Sequence, residues 1–202
     1  TEAQDKVWGE IKKDFNKETP MRRLLQGDVG SGKTLVGALS ALHAHENGWQ
    51  TAFMCPTEIL AEQHHLSLSE WFSSLGLRVE LLTGSTNASD RKEIISKLKS
   101  GEINILVGTH ALFQKDVIFN CLGLTVIDEQ HRFGVHQRFS MLEKGGTENR
   151  SPHQLIMTAT PIPRTLAMTV YGSLETSIID EMPPGRKPVE TTARPNSLRK
   201  KI

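Results

Sequence analysis

Between the apolar run Met21–Gln26 and a stretch rich in alanine and leucine lies Gly27-Asp28-Val29-Gly30-Ser31-Gly32-Lys33-Thr34. It fits the pattern G-x-x-x-x-G-K-[ST] at every constrained position. No other feature narrows the folds open to this chain as far. Such a loop works only where a strand runs into a helix. Gly27, Gly30 and Gly32 let the backbone bend so that its N–H groups face inward toward phosphate oxygens. The N-terminus of the following helix adds partial positive charge. Lys33 then reaches terminal phosphates, and the Thr34 hydroxyl is a ligand for Mg²⁺. With Ser31 between its glycines, the loop is the candidate nucleotide site. The alternative is a chance glycine-rich turn, which the strand–loop–helix context disfavours.

The flanking pattern supports that context. Apolar runs predict strands over Met21–Gln26, Thr51–Pro56, Arg78–Gly84, Ile103–Thr109, Leu124–Glu129 and His153–Thr160, and a weaker run over Glu175–Glu181 predicts a seventh. Between them, helices are expected over Thr34–Asn47, ended by Gly48, over Glu58–Leu75, and over Asn87–Ser100, ended by Gly101. The strands are apolar throughout rather than alternating, as buried parallel strands are. The fold class expected is α/β, a three-layer domain with a mostly parallel central sheet and helices on both faces. From Pro183 onward, four prolines, Gly185 and the basic run Arg199-Lys200-Lys201 read as a linker. The domain is therefore expected over residues 1–182 and the linker over 183–202.

Composition sets outer limits. A chain of 202 residues with 37% hydrophobic and 23% charged residues has enough material for one large domain and is short for two. The net charge of +1 gives no bulk basic signal, so any nucleic-acid surface must be local. Cys55 and Cys121 lie in or beside apolar runs without metal-ligand spacing and read as buried reduced thiols rather than a disulfide. No apolar stretch has the length of a membrane span, and a cytoplasmic protein is expected. The chain opens on Thr1 rather than Met, so a piece of something longer is expected.

Two adjacent acids, Asp128 and Glu129, follow the apolar run that ends the fifth strand. Like charges so close together call for a cation or a reaction. Beside a phosphate loop, Asp128 is the candidate for holding Mg²⁺ and Glu129 for polarising a water that attacks the terminal phosphate. The blander alternative is that the pair caps a following helix. His43, His45, His64 and His65 form no metal-ligand set with cysteines or acids and read as surface or core histidines. Trp71 and Phe72 read as core rather than as a base-stacking platform, and Lys97 and Lys99 as a solvated helix face.

Asp128-Glu129-Gln130-His131 resembles the DExH box of superfamily-two helicases. Other segments fall in the order of that superfamily. Pro56-Thr57-Glu58-Ile59-Leu60-Ala61-Glu62-Gln63 is similar to its motif Ia. Thr83-Gly84-Ser85 and Gly108-Thr109-His110 are similar to its next strand-end loops, and Thr158-Ala159-Thr160-Pro161 to its motif III. LLQGDVGSGKT, PTEILAEQH, GTHALFQ, VIDEQHRFGVHQR and HQLIMTATPIPRTLAMT together resemble the RecG family of bacterial branched-DNA helicases. The transcription-repair coupling translocases of the Mfd family share the HRFGV and TATPIPRT elements. Gln130, the following VHQR and the later MPPGR tilt the resemblance toward RecG.

The resemblance implies a RecA-like first motor lobe using ATP and Mg²⁺, acting on forked or junction DNA in repair and recombination in the bacterial cytoplasm at the nucleoid. It implies catalytic roles for Lys33, Asp128, Glu129 and His131, and adenine reading by Gln4. It implies DNA contact at Pro56, Thr57, Gly84 and Thr109, and coupling of phosphate state to DNA through His131 and Thr158–Thr160. Polar strand-end groups suit phosphate contact, which positions a strand without reading bases. Thr57, Gly84 and Thr109 are otherwise ordinary turn residues. A second lobe carrying arginines and an N-terminal DNA-binding domain are implied as partners in the full-length protein. A lone first lobe is expected to bind nucleotide, to hydrolyse it slowly and not to unwind DNA. Two other readings stay open: a translocase on duplex DNA, and a module that binds nucleotide or DNA without catalysis.

Overall fold

The computed structural model describes residues 1–129, 151–160 and 174–181. Seven strands form one sheet: β1 (Arg22–Gly27), β2 (Gln50–Met54), β3 (Val79–Leu82), β4 (Ile105–Gly108), β5 (Leu122–Asp128), β6 (His153–Thr158) and β7 (Glu175–Ile179). Their order is β3-β4-β2-β5-β6-β1-β7, and every pairing is parallel. The seven expected strands are all present; β1 is shifted by one residue, β5 starts two residues earlier and ends one earlier, and the others are shorter than their apolar runs.

Because side chains alternate along a strand, each strand feeds two cores. Phe53, Val107, Val126 and Met157 face one side, packed under the helices α1 (Glu2–Phe15), α2 (Lys33–Glu46) and α3 (Glu58–Ser73). Ala52, Met54, Leu106 and Ile127 face the other, under α4 (Ala88–Ser100) and the short 3-10 helix His110–Phe113. Leu122 and Leu124 break the alternation by facing opposite sides. A register shift between Gln50 and Thr51 lies opposite them, where Gly123 packs directly under Trp49; a Cβ there would come within 2.4 Å of the indole. Helices thus cover both faces, giving the three layers expected.

Helix α1 has no counterpart in the sequence-based expectations. It is nonetheless well specified. Thr1 caps it through the Gln4 N–H while the Gln4 side chain returns to the Thr1 backbone. Ala3, Val7, Ile11 and Phe15 recur at helical spacing and are buried. Its inner face also carries charge. Arg23 on β1, 6% exposed, donates from Nε to Asp14 at 2.7 Å, from Nη1 to Ser177 of β7 at 2.7 Å, and toward Glu10 at 3.3 Å. The network ties α1 to the edge of the sheet where β7 is the last strand.

Three expectations need correction. Trp71 is 42% exposed, whereas Phe72 is buried, because the stripe Ala61, His64, Leu68 and Phe72 faces the sheet and leaves position 71 on its flank. Lys97 is half-buried rather than fully solvated and pairs with Glu93 one turn back. Cys55 is buried and reduced as expected, but Cys121 is only half-buried. Residues 183–202, expected as a linker, lie outside the described residues.

Candidate functional site

Apart from Gln4 on α1, the candidate residues that the structure describes gather at the C-terminal ends of the parallel strands, and sheet order divides them into two groups. The loop after β1 and the ends of β6 and β5 form one group. The ends of β2, β4 and β3 form the other.

In the first group, the loop Gly27–Thr34 runs from β1 into α2. Gly30 and Gly32 hold φ of 80° and 88°, the left-handed region open to glycine without strain. Gly32 is the N-cap of α2, with no side-chain cap and no acid in the first turn. The first N–H groups of α2 therefore have no competing side-chain acceptor. Ser31 is 5% exposed and its Oγ has no hydrogen-bond partner among the described residues, an orphaned polar atom in the loop. It leans on Gly27, where a Cβ would meet it at 2.5 Å. Left-handed glycines, an uncapped helix start and an unpartnered hydroxyl fit a bound anion such as a nucleotide phosphate.

Lys33 Nζ donates to the carbonyls of Gly27 at 2.7 Å and Asp28 at 2.9 Å, closing across the loop. Burial lowers its pKa below the ordinary lysine range, against the opposing fields of Asp128, Glu129 and Asp28. Those three acids are the negative charges facing the lysine. Thr34 sits half-buried in the first turn of α2. Gln4 lies against the loop: its Nε2 donates to the Ser31 carbonyl at 2.9 Å, and a Cβ on Gly32 would come within 2.0 Å of it. Helix α1 thus places Gln4 on the phosphate loop itself, with its amide engaged there.

Sheet order β5-β6-β1 puts the acid pair two strands from the loop, about 10 Å away at ordinary strand spacing. Glu129 leaves β5 with φ of 50°, the one non-glycine residue with positive φ among those described. Its backbone N–H donates to Met157, and its carboxylate accepts from the Ala159 N–H at 2.9 Å and the Thr158 hydroxyl at 3.3 Å. Thr158 Oγ1 in turn accepts from the Thr160 N–H at 3.1 Å. Glu129 and the Thr158–Thr160 segment are therefore one hydrogen-bonded unit. His131 lies outside the described residues.

The second group gathers Pro56, Thr57, Gly84 and Thr109 at neighbouring strand ends. Thr57 caps α3 through the Leu60 N–H. Glu58 accepts from both the N–H and the hydroxyl of Ser85, at 3.2 and 2.9 Å, so the start of α3 holds the Thr83–Ser85 turn. Thr57 and Gly84 are exposed. Thr109 is only 2% exposed and its hydroxyl has no partner among the described residues, so its side chain does not face solvent in this arrangement.

Sequence reasoning missed one residue of the site. His64, read as a surface or core histidine, places Nε2 2.9 Å from Asp128 Oδ2. The signal was available: His64 falls in register with Ala61 and Leu68 on the buried stripe of α3, where a polar ring needs a partner. Cys55 packs nearby, and burial followed by the Asp128 charge raises its thiol pKa far above the usual range, so it is an inert core residue.

Known proteins place this geometry. The family model described as DEAD/DEAH box helicase matches residues 1–169. A protein of Pasteurella multocida named ATP-dependent DNA helicase RecG is 58% identical over 193 residues, covering 96% of this chain and 28% of that protein. One of the same name from Escherichia coli is 55% identical over 202 residues, covering 100% of this chain and 29% of that one. The chain thus spans under a third of the length of these relatives. A solved structure of RecG bound to a three-way DNA junction superposes with a TM-score of 0.84 at 47% identity, over 100% of this chain and 26% of that chain. A DNA-bound structure of the helicase MrfA has a TM-score of 0.68 at 19% identity, over 89% of this chain and 27% of that one, a likeness of fold alone. Matched by the family model over most of its length, and with the RecA-like parallel sheet those proteins share, the chain belongs to the DEAD/DEAH box helicases.

Proposed function

We propose that this chain is the ATP-binding first motor lobe of a RecG-type DNA helicase, which couples ATP hydrolysis to remodelling of forked and junction DNA in repair and recombination. The similarity to proteins named RecG favours this over the duplex-translocase reading. The single observation that carries the mechanism is the grip of the Thr158–Ala159 backbone and hydroxyl on Glu129. A carboxylate fixed by two donors at a strand end, facing a loop built for phosphate, is placed to orient a water and hold its proton. In the same reading the loop N–H groups and Lys33 cradle the phosphates, and Thr34 and Asp128 hold Mg²⁺. When bound, Mg·ATP supplies the electrophilic terminal phosphoryl group. Gln4 secures the loop and borders the base. Thr158 and Thr160 sense the state of Glu129 and pass it along the strand ends to Pro56, Thr57, Gly84 and Thr109, which meet the DNA backbone. His131 completes the coupling. Residues 1–182 form the lobe and 183–202 lead toward a second lobe that supplies arginines.

The test is ATP turnover by the full-length protein with and without three-way-junction DNA. Glu129→Gln should abolish DNA-stimulated turnover, by about 10²-fold or more, while fluorescent ADP still binds. DNA-stimulated turnover that survives Glu129→Gln sinks the assignment. The 202-residue chain alone should not separate the strands of a forked DNA; clear unwinding by it would contradict the need for a second lobe.

A further inference from the structure

The border between the two groups of strand ends runs between β2 and β5, and a side-chain hydrogen bond crosses it. α3 starts at Thr57, at the end of β2, and turns back over the sheet. Two turns later, its buried face brings His64 onto the Phe53 ring of β2, with ring centroids 5.0 Å apart, and onto Asp128 of β5. Both side chains are nearly closed to solvent, 11% exposed for His64 and 14% for Asp128. A carboxylate accepts, so the imidazole Nε2 donates. One oxygen of Asp128 is thereby fixed by α3, while the charge of the carboxylate acts on Lys33 of the loop. At its far end the same helix holds the Ser85 turn through Glu58.

We infer that His64 is a positioning residue that orients the Asp128 carboxylate for its cation and ties that orientation to the helix whose N-terminus faces DNA. The inference rests on the proposed role of Asp128 as the Mg²⁺-holding acid. An outer partner that fixes a ligating carboxylate in this way typically accounts for roughly 10–100-fold in metal affinity. Phe53 limits where the ring can go, so the contact sets a direction for the carboxylate as well as occupying one of its oxygens.

The test is the affinity of the full-length protein for fluorescent ADP with and without MgCl₂. The readout is the ratio of the two dissociation constants, from which damage to the nucleotide site as a whole cancels. Asp128→Asn should remove most of the Mg²⁺-dependent gain. If it does not, the reading of Asp128 fails, and the inference about His64 falls with it. With that control in place, His64→Leu should reduce the gain roughly tenfold. His64→Asn, polar but too short to reach Asp128, should do the same and serves if leucine disturbs folding. His64→Gln, whose Nε2 can replace the imidazole donor, should restore most of it. A gain unchanged in either folded disruptive variant, or one that glutamine fails to restore, overturns the proposal.

Discussion

Arg23→Met removes the cation from the buried network that fastens α1 to the sheet. The wild-type arrangement is close to fully desolvated: the Arg23 side chain is 7% exposed and that of Asp14 is 4%. Removing one partner of a buried pair leaves an uncompensated charge, which costs about 3–5 kcal/mol. Two features pull the expected value toward the low end. Lys17 stays 2.7 Å from Asp14 Oδ1, although its own side chain is 52% exposed. Methionine also refills most of the apolar volume of the arginine stem. About 3 kcal/mol remains, which for a domain of this size lowers Tm by roughly 6–12 °C. The loss has a pH signature. Burial alone would raise the Asp14 pKa, but the Arg23 and Lys17 hydrogen bonds outweigh it and hold the pKa below the ordinary aspartate value. Stability from this group is therefore present above that ordinary value, about 3.9, and is lost as pH falls through the folded pKa. In Arg23→Met the group protonates more readily, so the gap between variant and wild type should narrow as pH drops below about 5. Urea unfolding of the 202-residue chain at pH 7 and pH 4.5 measures both. Asp14→Asn added to Arg23→Met should recover part of the loss. A cost under about 1 kcal/mol at pH 7, with no pH dependence, would refute the account of a buried, mutually dependent charge network.

Other consequences follow from single positions. His153 accepts the Met21 N–H at Nδ1 at 2.9 Å and stacks among Phe15 and Trp49, and burial lowers its pKa. Its contribution is fully present above the unfolded value near 6.5 and is lost as pH falls below that toward the folded pKa, so urea midpoints should decline from pH 7 to 5 and His153→Phe should flatten that limb. Gly108→Ala places a Cβ 2.1 Å from the Leu82 carbonyl, backbone that cannot give without parting β3 from β4; a loss of about 3 kcal/mol in denaturant unfolding is expected. Gly32→Ala would force alanine into the left-handed region at about 1–2 kcal/mol and drive Gln4 off the loop, so fluorescent ADP binding should fall and Tm should drop by roughly 2–8 °C.

The sequence by itself determined a great deal here, because the strongest signals are local. A phosphate loop must join a strand to a helix, and continuous apolar runs such as Ile105–Val107 can be buried only in a parallel sheet covered on both faces. Lys33, Asp128 and Glu129 stand out on the same local ground: Lys33 completes the phosphate-loop pattern, and the two acids end an apolar run. Helix α1 was within reach, since Thr1 and Gln4 spell a capping box and Val7, Ile11 and Phe15 keep helical period, yet its amphipathic stripe carries Asp14 and Glu10 where apolar residues are expected. Those acids make sense only once β1 folds back to bring Arg23 beneath them, a pairing between a helix and the next strand that helical periodicity does not encode.

The order of the strands was likewise decided by tertiary structure alone. It seats β6 between β5 and β1 and so hands Glu129 to Ala159 and Thr158. It sets β2 against β5, so that a histidine from α3 lands on Asp128. Burial and periodicity say that His64 faces inward. Which acid it meets depends on strand adjacency, and adjacency is fixed by the packing of two whole sheet faces rather than by any stretch of residues.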